Sequence, residues 1–241
     1  MAKIHMILQG KGGVGKSLCC SLLAQYTQSL NVPALCIDTD PVNATFTGYS
    51  KLDVKKLDIM EGDEINPRNF DLLIEWIAQT DKENVVIDNG ASTFVPLAHY
   101  MLSNEIPELL ASMGHELIIH TVVTGGQALV DTINGFAHVT RQFSLSKVVV
   151  WLNCYWGEIE YEGRGFEELK AYKNNKDNVF AIINIPQFKK ETFGQDLSDV
   201  LSDRLTFDEA INTDGLSIMS KQRLKIIKSQ LYENIKLSGV I

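Results

Sequence analysis

Apolar residues run along this chain in short blocks that switch between two spacings. Residues 3–8 (KIHMIL) form a compact apolar run of buried-strand length. From residue 17 to 30 apolar side chains recur at Leu18, Leu22, Leu23, Tyr26 and Leu30, the spacing of one helix face. The alternation continues. Residues 34–37, 84–87, 116–123, 147–152 and 179–185 read as buried strands, with helical patterns over 70–80, 95–102, 106–112, 127–143 and 166–172. Pro107 is expected to break the patterns at 95–102 and 106–112 apart. Residues 51–68 are polar and charged and read as a mobile excursion, closed by Asn66-Pro67 as a helix N-cap with proline in the first turn. Strands alternating with helices predict an α/β fold, a doubly wound, mainly parallel sheet flanked by helices. One such domain accounts for all 241 residues, without repeats or an internal linker.

Composition narrows the class. Apolar content of 45% and charged content of 22% are those of an ordinary globular protein, and no apolar run reaches the roughly 18 residues of a membrane span. The first strand begins at once, which leaves no room for a secretory signal. Cys19, Cys20, Cys36 and Cys154 lack metal-ligand spacing and fall in or beside core elements, so they are expected reduced. A cytoplasmic protein follows. A formal charge of −8 argues against a surface that coats nucleic acid indiscriminately.

The chemistry concentrates at strand ends. Between the first strand and first helix lies Gln9-Gly10-Lys11-Gly12-Gly13-Val14-Gly15-Lys16-Ser17, a G-x-x-x-x-G-K-S/T phosphate loop in its strand–turn–helix setting. Its glycines let backbone N–H groups face phosphate oxygens at a helix start. Lys16 is expected to reach the terminal phosphates of a nucleotide, and the Ser17 hydroxyl to ligate the magnesium that accompanies them. Asp38 and Asp40 end the second strand, and Asp88 ends the strand at 84–87, followed by Asn89-Gly90-Ala91-Ser92. An apolar strand ending in a carboxylate suits magnesium support, and Gly90 suits a loop that turns toward the γ-phosphate and resets. Asn153 ends the strand at 147–152. Its amide offers both a donor and an acceptor. His120, inside an apolar strand, reads as a core histidine.

The second lysine of the loop, in K-G-G-V-G-K-S, resembles the deviant Walker A motif of the ParA/MinD family of dimeric ATPases. D-T-D-P-V-N-A-T at residues 38–45, V-V-I-D-N-G at 85–90 and W-L-N at 151–153 follow in that family's order. The resemblance implies an ATP-dependent homodimer in which Lys11 reaches the partner's ATP. It also implies that Asp40 positions or activates the attacking water, that Asp38 and Asp88 support the magnesium, and that Asn153 meets the adenine edge. Gly12, Gly13, Val14, Gly15, Lys16, Ser17, Leu18 and Pro186 complete the candidate nucleotide contacts. The family commonly carries an extra residue between Pro41 and Asn43, which leaves the contacts of Val42 and Asn43 open. Taken whole, the chain is similar to members that act in plasmid conjugal DNA transfer, and implies a protein partner in a transfer or partition apparatus.

Two surfaces remain. Residues 158–162 carry Glu158, Glu160 and Glu162 and read as an exposed loop. Residues 217–236 are basic, with Leu224, Ile227, Leu231 and Ile235 as an apolar stripe. That helix reads either as one that touches DNA or a membrane surface, which would place the protein peripherally at the inner membrane, or as a terminal helix docked on the sheet. Two other function classes stay open. They are a metabolic P-loop kinase or ligase, and a nucleotide-binding adaptor without hydrolysis.

Overall fold

A computed structural model describes residues 1–241. β1 (Lys3–Ile7) turns into α1 (Lys16–Ser29), and β2 (Leu35–Asp38) and the short β3 (Lys55–Lys56) follow. A small antiparallel hairpin, β4 (Met60–Glu61) with β5 (Glu64–Ile65), precedes α2 (Asp71–Ala78) and β6 (Asn84–Asp88). Then come α3 (Phe94–Ser103), α4 (Ile106–Ser112), β7 (Glu116–Thr124), α5 (Leu129–Gln142) and β8 (Lys147–Asn153). A second antiparallel hairpin, β9 (Glu160–Tyr161) with β10 (Arg164–Gly165), leads through α6 (Lys170–Lys173) to β11 (Val179–Ile185). The chain closes with α7 (Gln195–Ser202), α8 (Phe207–Asn212) and α9 (Ile218–Ser238).

Seven strands make one parallel sheet in the order β11-β8-β7-β1-β6-β2-β3. The sheet grows to one side of β1 as far as β6 and to the other from β7 onward. The turn after β1 therefore sits at the topological switch point, where such sheets bind ligands. Strand residues alternate between two cores. Ile7, Val86, Ile118, Val149 and Trp151 meet α1, α7, α8 and α9, while Ile4, Met6, Ile87 and Ile119 meet α2, α3 and α4.

A polar row crosses the sheet on the α1 side. Trp151 Nε1–H donates to His120 Nδ1 at 2.9 Å, and a tryptophan can only donate. His120 therefore carries its proton on Nε2 and donates to His5 Nδ1 at 3.0 Å, and His5 Nε2–H faces Asn84 Oδ1 at 3.4 Å. Both rings are fully buried and neutral, and burial lowers His5 to about 4 and His120 well below its usual value. A histidine depressed on folding contributes no penalty above its unfolded pKa and costs stability as pH falls. Melting temperature is thus expected to drop between pH 6.5 and 4. His5 alone costs up to about 3 kcal/mol. A His5→Leu, His120→Leu variant, melted across that range, is expected to lose most of the slope. An unchanged slope would contradict the assignment.

Two expectations need correction. Residues 51–68 are not a loose excursion: Leu52, Leu57 and Ile59 are buried and β3 extends the sheet. The α3–α4 break falls at Asn104-Glu105, where Glu105 has φ +50°. Pro107 sits inside the first turn of α4, where its missing N–H costs nothing. The acidic loop at 158–162 exposes Glu158, Glu160 and Glu162 as expected, and its end forms the β9–β10 hairpin. Of the two readings of the C-terminal helix the docked one holds: the stripe of α9 is 0–1% exposed, packed against β11 and α1, and Arg223 and Lys228 pair with Asp196 and Asp208. No apolar face of that stripe is left for a membrane. Nor is any helix long and apolar enough to cross one.

Candidate functional site

Strand β1 delivers the glycine loop to the carboxyl edge of the sheet, and α1 starts directly from it. Its N-cap is Gly15, with no side-chain cap and no acidic residue in the first turn. The first N–H groups of this 14-residue helix therefore remain for an anion at the positive end of the dipole. Gly15 has no substitute. Its φ is +102°, and a Cβ would stand 2.7 Å from Asn153 Nδ2.

Two buried amides hold this loop from either side. Asn153, 2% exposed, donates from Nδ2 to the Val14 carbonyl at 2.9 Å and accepts from Tyr155 N–H at 3.1 Å. The amide assigned to the adenine edge is here engaged with the loop's own backbone. Gln9, 1% exposed, donates to the Val122 carbonyl at 2.9 Å and accepts from Lys11 N–H at 3.3 Å. A Cβ on Gly135 of α5 would collide with that amide.

The two loop lysines diverge. Lys16 is 8% exposed and donates from Nζ to the Lys11 carbonyl at 3.0 Å. Burial lowers its pKa, while Asp88 and Asp40 pull it back up. Lys11 points outward, and its Nζ pairs with Asp131 of α5 at 2.8 Å, the two side chains being 46% and 57% exposed. Gly12 and Gly13 are exposed beside it, Val14 is buried, and Ser17 and Leu18 are half-buried in the first turn of α1.

Asp38 and Asp88 are register partners on neighbouring strands, so both leave the sheet at one edge. Asp38 is fully buried. Its Oδ1 accepts from Asp40 N–H at 2.9 Å, and its Oδ2 accepts from Thr47 N–H at 2.9 Å and the Thr47 hydroxyl at 3.0 Å. These three bonds make Asp38 the anchor of loop 40–47. Its assignment to the magnesium shell has little acceptor capacity left to draw on. Asp40 accepts from Val42 and Asn43 N–H through Oδ1 at 2.9 and 3.1 Å. Its carboxyl lies flat on the next loop, since a Cβ on Gly90 would stand 2.7 Å from Asp40 Cγ. Thr39 ties the two loops by donating its hydroxyl to the Asp88 carbonyl at 2.9 Å.

Asp88 is the least satisfied group of the site. It is 1% exposed, yet neither carboxylate oxygen has a hydrogen-bond partner, nor has Nδ2 of the adjacent Asn89. Burial pushes its pKa up to about 6. The Ser17 hydroxyl and the Lys16 ammonium pull it down, and Asp38 pushes it further up. A buried carboxylate without a donor, beside a serine hydroxyl, is the oxygen donor set that suits a hard divalent cation such as Mg2+. Pro186 follows β11 at the same edge, half-buried. Next to it a cavity of about 290 Å³ is lined by Tyr155, Trp156, Gln187, Phe188 and Ser198.

The geometry thus gathers Lys16, Ser17, Asp38, Asp40 and Asp88 at one sheet edge and turns Lys11 away from them. Gln9, Thr47, Asn89 and Asp131 join the site without having been picked out from the sequence. Gln9 adjoins the motif and was findable. Thr47 and Asp131 depend on how loop 40–47 and α5 fold back, which no local pattern announces.

The model of the CobQ/CobB/MinD/ParA nucleotide binding domain matches residues 5–191. Protein TraL of Escherichia coli is 60% identical over 242 residues, covering 100% of both chains, and a second Escherichia coli TraL is 59% identical over the same span. Among solved structures, the septum site-determining protein MinD of Pyrococcus horikoshii, complexed with Mg-ADP, is similar with TM-score 0.56 at 18% identity, over 100% of this chain and 98% of that one. MinD in the MinC:MinD complex of Aquifex aeolicus follows with TM-score 0.54 at 14% identity, over 95% and 96%. At such identities these likenesses speak for the fold.

Proposed function

Because the chain belongs to the CobQ/CobB/MinD/ParA nucleotide-binding family, and within it stands with the TraL proteins, we propose that it is an ATP-dependent dimerising switch that hydrolyses ATP and acts in plasmid conjugal DNA transfer or positioning. The observation that carries the switch is the divergence of the two loop lysines. Lys16 lies inward among carboxylates, whereas Lys11 stands outward, where a facing copy would meet it. One loop thus offers one cation to its own nucleotide and another to a neighbour's.

The residues divide the work as follows. Backbone N–H groups of Gly12, Gly13 and Gly15 and the start of α1 receive the phosphates, and Lys16 leaves the Lys11 carbonyl to pair with their terminal oxygens. Ser17 and Asp88 would hold Mg2+, which would supply positive charge to neutralise the phosphates. Asp40, fixed by Val42 and Asn43, orients the attacking water. Asp38 keeps Asp40 in place through the loop it anchors. Lys11 of the second copy counters charge at the γ-phosphate, as a trans-acting cation does. The cavity beside Pro186 takes the base, with Asn153 bracing the loop beneath. A protein partner of the transfer or partition apparatus would read the ATP-bound dimer. Any contact of the docked α9 with DNA or lipid would run through its outer face, which carries its lysines, and not through the buried stripe.

Lys11→Ala tests the reading. It is expected to bind ATP within about threefold of the parent, yet to stay monomeric with a slowly hydrolysed ATP analogue in light scattering, and to lose turnover. Parental dimerisation and turnover would make Lys11 a surface lysine. In parallel, Asp40→Ala is expected to bind ATP and dimerise but to hydrolyse it at least tenfold more slowly. A parental rate in a single-turnover assay would remove Asp40 from the chemistry. A metabolic kinase or ligase would instead need a second substrate to turn over, and an adaptor would show no turnover with any partner.

A further inference from the structure

The outward lysine is not free in the lone chain. Its ammonium sits 2.8 Å from Asp131, in the first turn of α5. The rest of the residue is held as well. The N–H donates to Gln9 Oε1 at 3.3 Å, and the carbonyl accepts from Lys16 Nζ at 3.0 Å. Gln9 also donates to the carbonyl of Thr132, the next residue of α5, at 3.3 Å. Loop and helix start are therefore one unit, with Lys11 folded onto it.

We propose that Asp131 is a restraining residue. It parks Lys11 on its own chain, so that a second copy carrying ATP must pull the lysine off before a dimer closes. The inference rests on the reading of Lys11 as the trans-acting lysine. To reach a phosphate on another molecule the ammonium must swing away from this carboxylate, so the two contacts compete for the same side chain. The γ-phosphate of ATP is a stronger anion than a carboxylate and wins that competition, whereas ADP offers no such group. Asp131 weakens every dimer by the same factor, a cost that only the γ-phosphate of ATP offsets. The nucleotide also loosens the unit from inside. Once phosphate oxygens take Lys16, the Lys11 carbonyl loses its donor.

A pair this exposed is worth up to about fivefold in an equilibrium constant, and a symmetric dimer breaks two of them, so the combined effect reaches about 25-fold. Asp131→Asn, which keeps the shape and removes the charge, is expected to tighten the dimer formed with a slowly hydrolysed ATP analogue by about 2- to 25-fold, measured by analytical ultracentrifugation. Asp131→Glu is expected to stay near the parent. The advantage of Asp131→Asn is expected to shrink in about 0.5 M salt, where exposed charges are screened within a few ångströms. In a Lys11→Ala background the same substitution is expected to change nothing. An acid in the first turn of a helix also stabilises that helix, so a purely structural role would lower the melting temperature and leave the dimer constant where it was. If Asp131→Asn leaves the dimer unchanged or weaker while Lys11→Ala abolishes it, the restraint is wrong and the trans lysine stands. If Lys11→Ala dimerises like the parent, both fall together.

Discussion

Replacing Lys16 by alanine is expected to weaken ATP binding at least tenfold, and on the order of a hundredfold. The side chain is 8% exposed at the start of α1, within reach of the charges of Asp88 and Asp40, so no solvent-exposed cation can stand in for it. Its bonds to phosphate oxygens would be charge-assisted, each contributing about 1.5–3 kcal/mol, and 1.4 kcal/mol already amounts to a factor of ten. The loss should also remove nucleotide-driven dimerisation. Lys16 makes one side-chain hydrogen bond within the chain, to the Lys11 carbonyl, so the fold is expected to survive the change. Calorimetric titration of ATP with magnesium into folded Lys16→Ala protein checks this. An affinity equal to the parent's would remove the loop from nucleotide binding.

Asp88→Asn is expected to stabilise the nucleotide-free protein while impairing magnesium-dependent binding. Burial raises the Asp88 pKa from 3.8 to about 6, so the folded state holds this proton more tightly than the unfolded chain does. Above pH 6 the carboxylate is charged in both states and burying it costs about 3 kcal/mol. Between pH 6 and 3.8 the cost fades, and below 3.8 the group is neutral in both states. An amide escapes that cost. At pH 7 the variant should melt about 5–10 °C above the parent, and the gap should close toward pH 4. The sign is opposite to that of the buried histidines, which cost stability as the pH falls, so the difference between parent and variant isolates Asp88. In the same protein the dependence of ATP binding on magnesium should weaken by about tenfold or more. A variant that melts below the parent at pH 7 with full magnesium dependence would mean that Asp88 is a satisfied structural group. The stability penalty and the unpartnered oxygens are what a carboxylate reserved for a cation would show.

Much of this was legible in the sequence because parallel strands covered on both faces read as unbroken apolar runs. The runs at 3–8, 84–87, 116–123 and 147–152 all became strands of the sheet. The order of motifs placed the candidate residues at strand ends, where β2 and β6 bring Asp38 beside Asp88. Residues 51–68 were illegible because their buried members, Leu52, Leu57 and Ile59, are spaced among charges with no period. The stripe on α9 was visible, but a stripe does not say what it faces, and here β11 and α1 cover it. The state of each site group was also beyond reach. That Asn153 holds Val14, that Asp38 anchors Thr47 and that Asp131 takes Lys11 all follow from approaches between elements 9 to 139 residues apart.

The measurement that tests the account most directly is the mass of the chain in solution with ATP analogue and with ADP. Light scattering on purified protein with magnesium should give the 26.9 kDa of one chain with ADP and twice that with a slowly hydrolysed ATP analogue. The same mass with both nucleotides, whether one chain or two, would contradict a switch that closes on the γ-phosphate.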